Sequence, residues 1–185
     1  MEQTNIKKTE KNINRIFLIG FMCSGKTITG ALLAKRLKLK FKDSDTEIEK
    51  IYKKSISAII KESGLTHFRR IEEKTVKQLI KNQNTIVAMG GGIMALKKWN
   101  KYLKDKGISV YLSCSAKELK RRLLKIENER PLIGKGGEKE ERIKKLLTKR
   151  APYYNKADFR ISVTKLSPAQ TARKIEKLIS HAKNY

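Results

Sequence analysis

The run Gly20-Phe-Met-Cys-Ser-Gly25-Lys26-Thr27 fits the spacing G-x-x-x-x-G-K-[ST], whose chemistry is phosphate binding. Glycines there let successive backbone N–H groups turn inward on phosphate oxygens, and a helix starting at the loop adds partial positive charge. Lys26 then supplies a point charge for the β and γ phosphates of a nucleoside triphosphate, and Thr27 a hydroxyl for Mg2+. Gly20, Cys23, Ser24, Gly25 and Ile28 complete the nucleotide-binding loop. A second kind of chemistry sits in Asp43-Ser-Asp45. One carboxylate can orient Mg2+ and the other can accept the hydrogen of an attacking hydroxyl. Asp45, ahead of Thr46-Glu-Ile-Glu, also has the type of a helix cap. In Phe68-Arg69-Arg70-Ile71-Glu72 the i,i+3 spacing puts Arg69 and Glu72 on one helical face, so Glu72 can orient the guanidinium; a plain surface ion pair has the same spacing. Gly90-Gly91-Gly92 offers open backbone N–H groups, or simply a tight turn.

Elements that position these residues follow from hydrophobic periodicity. Arg15 to Ile19 is a short apolar run of the kind buried on both sheet faces, and it stops at Gly20. A helix is predicted from Lys26 to about Leu39, with Ile28, Leu32, Leu33 and Leu37 on its apolar stripe. Leu39 to Asp43 reads as a second strand. Helical stretches follow over Thr46 to Lys54, Ser57 to Ser63 and, past Gly64, Thr66 to Lys81, the last with Phe68, Ile71, Val76 and Leu79 at helical spacing. Thr85 to Met89, Ser109 to Ser113 and Phe159 to Val163 read as three further strands. Between the last two come a helix from Ala116 to about Ile126, a polar segment from Glu127 to Lys139 containing Gly134, Gly136 and Gly137, and another helix. Pro168 to about Lys183 is the final helix. Strands alternating with helices imply an α/β fold with a parallel sheet covered on both faces. Ligands of such sheets bind outside the carboxyl ends of the strands, where both the phosphate loop and Asp43-Ser-Asp45 fall.

At 185 residues the chain fits one domain, expected over 15–185 behind a loose basic arm over 1–14. No apolar stretch approaches the roughly 18 to 20 residues that span a bilayer, and the N-terminus has no apolar core of a signal peptide, so a soluble cytoplasmic protein is expected. Cys23 and Cys114 fall in no metal or redox spacing and are read as reduced thiols. His67 and His181 suggest no metal site, Trp99 reads as core, and Tyr153 and Tyr154 read as packing residues. Basic residues number 44 against 18 acidic ones, a formal charge of +26. The 33 Lys are scattered along every segment, as on solvated helix faces, and no zinc-finger spacing, basic zipper or aromatic RNP motif accompanies them. Nucleic-acid binding is therefore not expected as the main function. The charge instead favours anionic small ligands.

Taken in order, the phosphate loop, Asp43 to Asp45, Phe68 to Glu72, Gly90 to Gly92, Arg130-Pro-Leu132 and Arg150-Ala-Pro-Tyr-Tyr154 resemble the shikimate kinase family over nearly the whole chain after the arm. The resemblance implies a three-layer P-loop kinase fold of the nucleoside-monophosphate-kinase type, with a five-stranded parallel sheet and a lid at about residues 127–139. It also implies a monomer that transfers the γ-phosphoryl group of ATP to the 3-hydroxyl of shikimate with Mg2+, in the chorismate and aromatic amino acid pathway. In that carry-over Asp45, Lys26 and Arg130 are catalytic, and Arg130 closes over ATP from the lid. Arg69, Arg150, Asp45 and the backbone of Gly90, Gly91 and Gly92 bind shikimate, Glu72 orients, and Thr27 and Asp43 hold the metal. One departure lies at Val163-Thr-Lys-Leu-Ser-Pro168, where the family often has a basic residue just before the proline that packs on adenine and this stretch reads as shorter. Two other functions share some of these features. Another small-molecule or nucleotide P-loop kinase would not need Arg69, Arg150 and the triple glycine together, and a basic ATP-dependent nucleic-acid-binding protein would use the lysines.

Overall fold

The computed structural model describes residues 14–95, 97–125 and 139–183. The expected arm except Asn14, and the expected lid with Arg130 except Lys139, lie outside the described residues. Strands β1 (Arg15–Ile19), β2 (Lys40–Asp43), β3 (Thr85–Ala88), β4 (Ile108–Ser113) and β5 (Phe159–Ser162) form one parallel sheet in the order β2-β3-β1-β4-β5. Parallel neighbours need a crossover, and α1 (Lys26–Leu37), α2 (Ser44–Tyr52), α3 (Ile56–Leu79), α4 (Lys97–Leu103), α5 (Ala116–Leu123) and α6 (Lys139–Tyr154) supply it before α7 (Pro168–Lys183) ends the chain. Successive strand residues point to opposite faces, so each strand feeds two cores. Ile16, Leu18, Ile86, Val110 and Leu112 pack on Leu33 and Ala34 of α1 and on Ala172, Ile175 and Ile179 of α7. Phe17, Ile19, Val87, Met89 and Tyr111 pack on Val76 and Leu79 of α3, Trp99 and Leu103 of α4, and Tyr154 of α6. This is the expected three-layer arrangement. No helix among the described residues is long and apolar enough to cross a membrane.

Three expectations change. The sheet-facing side of α1 is Thr29, Gly30, Leu33 and Ala34, whereas Ile28 is 60% exposed and Leu32 37%. Small residues take that side because α1 lies close to the sheet: a Cβ at Gly30 would run into the Phe41 ring. The α2 helix begins at Ser44, so its cap is Asp43, whose Oδ1 accepts from the Asp45 N–H at 3.0 Å, and Asp45 is left in the first turn. Helix α4 had no sequence signal beyond Trp99 and Leu103 one turn apart, amid lysines. The break expected at Gly64 is present, as a left-handed residue at φ 77° within α3.

Register brings the motifs together. Leu18, Ala88 and Asp43 form one row across β1, β3 and β2. Two residues beyond that row, on the three strands in turn, are Gly20, Gly90 and Asp45.

The tight approach of α1 gives a prediction with opposing contributions. Alanine at a helix interior normally gains about 1 kcal/mol over glycine, but overpacking costs about 1–3 kcal/mol. Since the added carbon meets Phe41 and lies 3.1 Å from Leu18 Cδ1, Gly30→Ala should lower the urea midpoint of unfolding. A raised midpoint would show that Phe41 moves aside at little cost.

Candidate active site

The phosphate loop turns from β1 into α1 through Cys23 at φ 61° and Gly25 at φ 91°, both left-handed. Gly25 is the α1 N-cap and brings no side-chain acceptor, which leaves the first-turn N–H groups to a ligand. Lys26 Nζ donates to the Gly20 and Phe21 carbonyls at 2.9 Å each, which keeps the ammonium at the loop mouth. Ser24 is buried, and its Oγ has no hydrogen-bond partner among the described residues. Thr27 Oγ1 donates to Asp43 Oδ2 at 2.6 Å, joining the two residues expected at a metal.

From this loop a cleft of about 700 Å³ runs between α5 and the β5–α7 connection. The loop from Cys23 to Ile28 forms one wall, and Arg122, Lys125, Lys165 and Pro168 contribute to the others. Arg122 ties these walls together: Nε donates to Glu118 at 2.8 Å, Nη2 to the Val163 carbonyl at 2.9 Å and Nη1 to the Cys23 carbonyl at 3.4 Å. Glu118 also accepts from Arg121 Nε at 2.6 Å, and hydrogen bonds from Arg121 and then Arg122 hold its carboxyl down at about 2. It stays an anion that fixes two cations at the cleft edge.

On the other side of the loop, the turn Gly90 to Gly92 lies among charged side chains. None of these three glycines has a positive φ; among described glycines only Gly20, Gly25 and Gly64 do. What they provide is space. A Cβ at Gly90 would run into the Glu72 carboxylate and lie 3.2 Å from Asp45 Oδ1, and one at Gly92 would run into the Arg69 guanidinium. At Gly91 it would lie 3.1 Å from the Gly20 carbonyl, 3.3 Å from the Tyr154 hydroxyl and 3.5 Å from Arg150 Nη1. Asp45, Arg69, Glu72 and Arg150 thus surround one turn, next to the residue that opens the phosphate loop. Arg69 pairs with Glu72, as the i,i+3 spacing allows, with the arginine side chain 26% exposed and the glutamate 2%. Arg150 is buried, stacked over Phe21 at 5.5 Å from the ring centroid.

A family model for shikimate kinase matches residues 22–180. The shikimate kinase of Thermodesulfovibrio yellowstonii is 41% identical over 165 residues, covering 89% of this chain and 94% of that protein. The chain belongs to the shikimate kinase family. Solved members superpose closely. The shikimate kinase of Acinetobacter baumannii, in complex with shikimate, has a TM-score of 0.86 at 32% identity, covering 94% of this chain and 96% of its own. The shikimate kinase of Aquifex aeolicus has a TM-score of 0.78 at 32% identity, covering 92% and 98%. The P-loop kinase fold is that of the family.

Several side chains at the site had no motif of their own. Arg122 is one: it reaches the loop from 99 positions away in the chain. Ser44, fully buried, accepts from the Gly90 N–H at 2.9 Å, and its own hydroxyl lies 3.5 Å from Asp45 Oδ1. This corrects the expectation of open N–H groups along the whole glycine run, because Gly90 has spent its donor. Tyr154 donates to the Gly91 carbonyl at 2.5 Å, and burial pushes its hydroxyl up to about 12. The signals were present in the middle serine of Asp43-Ser-Asp45 and in the tyrosine closing Arg150 to Tyr154, but neither says what it touches.

Burial raises the Glu72 carboxyl above its ordinary value of 4.5, against the opposing charge and hydrogen bond of Arg69. The folded chain therefore binds more protons there than the unfolded chain. The stabilising contribution of the protonated group is full below 4.5 and is lost as pH climbs through the raised value. Glutamine is neutral throughout, so the stability of the wild type relative to Glu72→Gln should shrink in urea titrations as pH rises above about 4.5. A difference that grows with pH would mean that pairing to Arg69 outweighs burial.

Proposed function

We infer that this protein is an ATP-dependent kinase that transfers the γ-phosphoryl group to the 3-hydroxyl of shikimate, supplying the aromatic amino acid pathway. One observation carries the reading: Asp45, the Arg69–Glu72 pair and Arg150 surround Gly90 to Gly92 directly beside Gly20, where the phosphate loop begins. An acceptor held at that turn has two guanidiniums for a carboxylate and the Asp45 carboxylate for a hydroxyl. A guanidinium matches a carboxylate with two parallel N–H···O bonds, which a lysine cannot do.

In this reading Gly20, Cys23, Ser24, Gly25, Thr27 and Ile28 cradle ATP, with the adenosine extending toward Arg122 and the stretch from Val163 to Pro168. The acceptor oxygen forms its bond to the γ-phosphorus as the bridging β–γ bond breaks, the electron pair leaving on ADP. The hydroxyl proton passes to the Asp45 carboxylate. Lys26 stabilises charge on the transferring group, and Arg130 does so from the lid. The hydroxyl and carboxylate oxygens of Thr27 and Asp43 are hard donors 2.6 Å apart, and no cluster of three or more His, Cys, Asp or Glu side chains exists among the described residues. That set suits Mg2+, which keeps most of its waters and takes few protein ligands. Bound there, Mg2+ would neutralise charge on the β and γ phosphates. The reading is of a monomer working in the cytoplasm.

Offering shikimate, gluconate and a nucleoside monophosphate in parallel tests the assignment by ADP release. Turnover with shikimate alone supports it, and preference for a nucleoside monophosphate would replace it. Asp45→Asn should lose turnover far more than ATP affinity, because it keeps the shape and loses the proton acceptor. Equal losses in both would make Asp45 a metal or nucleotide residue. Arg69→Lys and Arg150→Lys should each raise the shikimate KM by about tenfold to 150-fold, the equivalent of about 1.5–3 kcal/mol for a charged hydrogen bond, with the ATP KM unchanged. Lys26→Ala should remove most turnover and leave the thermal melt intact.

A further inference from the structure

The Gly90 to Gly92 turn has no side chains of its own to hold it, and its backbone angles do not require glycine. Glycine also leaves a chain with more conformational freedom than any other residue, so three in a row need an outside restraint to keep one geometry. Two buried hydroxyls touch the turn from different elements. Ser44, on the first turn of α2, accepts the Gly90 N–H at 2.9 Å across 46 positions of sequence. Tyr154, at the end of α6, donates to the Gly91 carbonyl at 2.5 Å across 63 positions. Both residues are fully buried.

We propose that Ser44 and Tyr154 act as a two-point clamp on the glycine turn and are positioning residues for the acceptor site. This rests on the assignment of that site to shikimate. Each hydroxyl also bears on a charged group of the site. Ser44 Oγ lies 3.5 Å from Asp45 Oδ1, so the same oxygen that fixes Gly90 orients the carboxylate. The Arg150 guanidinium lies beside the same turn as the Tyr154 phenol, its charge opposing the effect of burial there, so the group that fixes Gly91 also borders a guanidinium. Ordinary trans geometry sets the consequence of pinning a carbonyl: no peptide bond among the described residues is cis. In a trans peptide the C=O and the N–H of the next residue point in opposite directions. Holding the Gly91 oxygen on Tyr154 therefore aims the Gly92 N–H away from α6. Because burial pushes the phenol up to about 12, its proton stays available as a donor at neutral pH. The clamp sets a division of labour within the run: Gly90 contributes room for Glu72 and Asp45 and no free donor, and the backbone beyond it is the part aimed by Tyr154.

The variants Ser44→Ala and Tyr154→Phe each delete one oxygen. Each should raise the shikimate KM by about threefold to tenfold, the size of a lost neutral hydrogen bond, with the ATP KM within about twofold of wild type. Ser44→Thr keeps the hydroxyl and should return the KM to within about twofold of wild type. The double variant should fall short of the product of the single effects, since both hydroxyls act on one turn. Amide exchange gives a readout that needs no substrate: the Gly90 amide should exchange faster in Ser44→Ala, and the Gly92 amide in Tyr154→Phe. If wild type does not phosphorylate shikimate, the acceptor assignment falls and the exchange data still judge the clamp. If Ser44→Ala does not melt cooperatively, Tyr154→Phe decides the matter alone. Unchanged KM and exchange in a folded single variant, a parallel rise in the ATP KM, or effects that multiply fully in the double variant would each overturn the clamp.

Discussion

Everything at this site depends on how closely three chain segments can approach where β1, β3 and β2 end, and that approach requires a stretch with no side chains. Parallel strands bring their carboxyl ends to the same edge, so Gly20, Gly90 and Asp45 come level by register alone. Strand spacing of about 4.8 Å leaves little room above such an edge. The Glu72 carboxylate and the Arg69 guanidinium from α3 occupy the volume where a Cβ of Gly90 or Gly92 would be, and the Tyr154 hydroxyl from α6 lies 3.3 Å from where one would stand at Gly91. One methyl group added at Gly90 or Gly92 would displace a charged group from its partner. A buried charge without its partner costs several kcal/mol in general, whereas the paired and hydrogen-bonded arrangement is tolerated. The glycine run is thus a condition for having two carboxylates and two guanidiniums around a single turn.

The charges on the two sides of Gly20 are organised differently. In the cleft beside the phosphate loop the cations are held at the edges: Arg122 spans three segments through a carboxylate and two carbonyls, and Arg121 shares the same Glu118. Around the glycine turn acids and bases alternate at close range, and Glu72 is buried deeply enough to be driven toward its protonated form. The formal charge of +26 belongs to neither arrangement. It spreads over exposed lysines, where it raises the local concentration of anions without choosing between them. Selection between anions falls to the few fixed guanidiniums.

Sequence reading recovered the strands, the break at Gly64 and the turn of the phosphate loop because each of these is local. A two-residue period, a left-handed glycine or a phosphate-loop spacing is written within a dozen residues. The exposed stripe of α1 shows where locality fails: Ile28 and Leu32 have the right spacing for a buried face, yet the close approach of Gly30 to Phe41 rotates the helix so that Thr29, Gly30, Leu33 and Ala34 face the sheet. The cap of α2 fell one residue pair early, at Asp43, because the strand ends directly into the helix. What Ser44, Tyr154 and Arg122 touch was not legible, for a common reason. Their partners lie 46, 63 and 99 positions away, and no periodicity encodes a contact of that range.

That contrast locates where the family's specificity is built. Phosphate binding uses backbone N–H groups, a helix N-terminus and a point charge, all supplied by one continuous segment that any phosphate-loop protein can carry. Acceptor recognition on the proposed assignment draws on β2, α2, α3, the turn after β3 and α6, and its parts make contact only after the sheet has formed. A change of acceptor would therefore have to alter side chains on several elements at once, and it would be constrained by the space above the glycine turn. Larger residues at Gly90 and Gly92 are excluded by the charges already there, and smaller or differently charged partners on α3 or α6 would leave a buried group unpaired. The phosphate loop, contained in one segment, is free of the first constraint. The two halves meet at the Gly20 carbonyl, at the Thr27–Asp43 hydrogen bond and where Arg150 stacks over Phe21, so the geometry of phosphoryl transfer is fixed where a generic site touches a specific one.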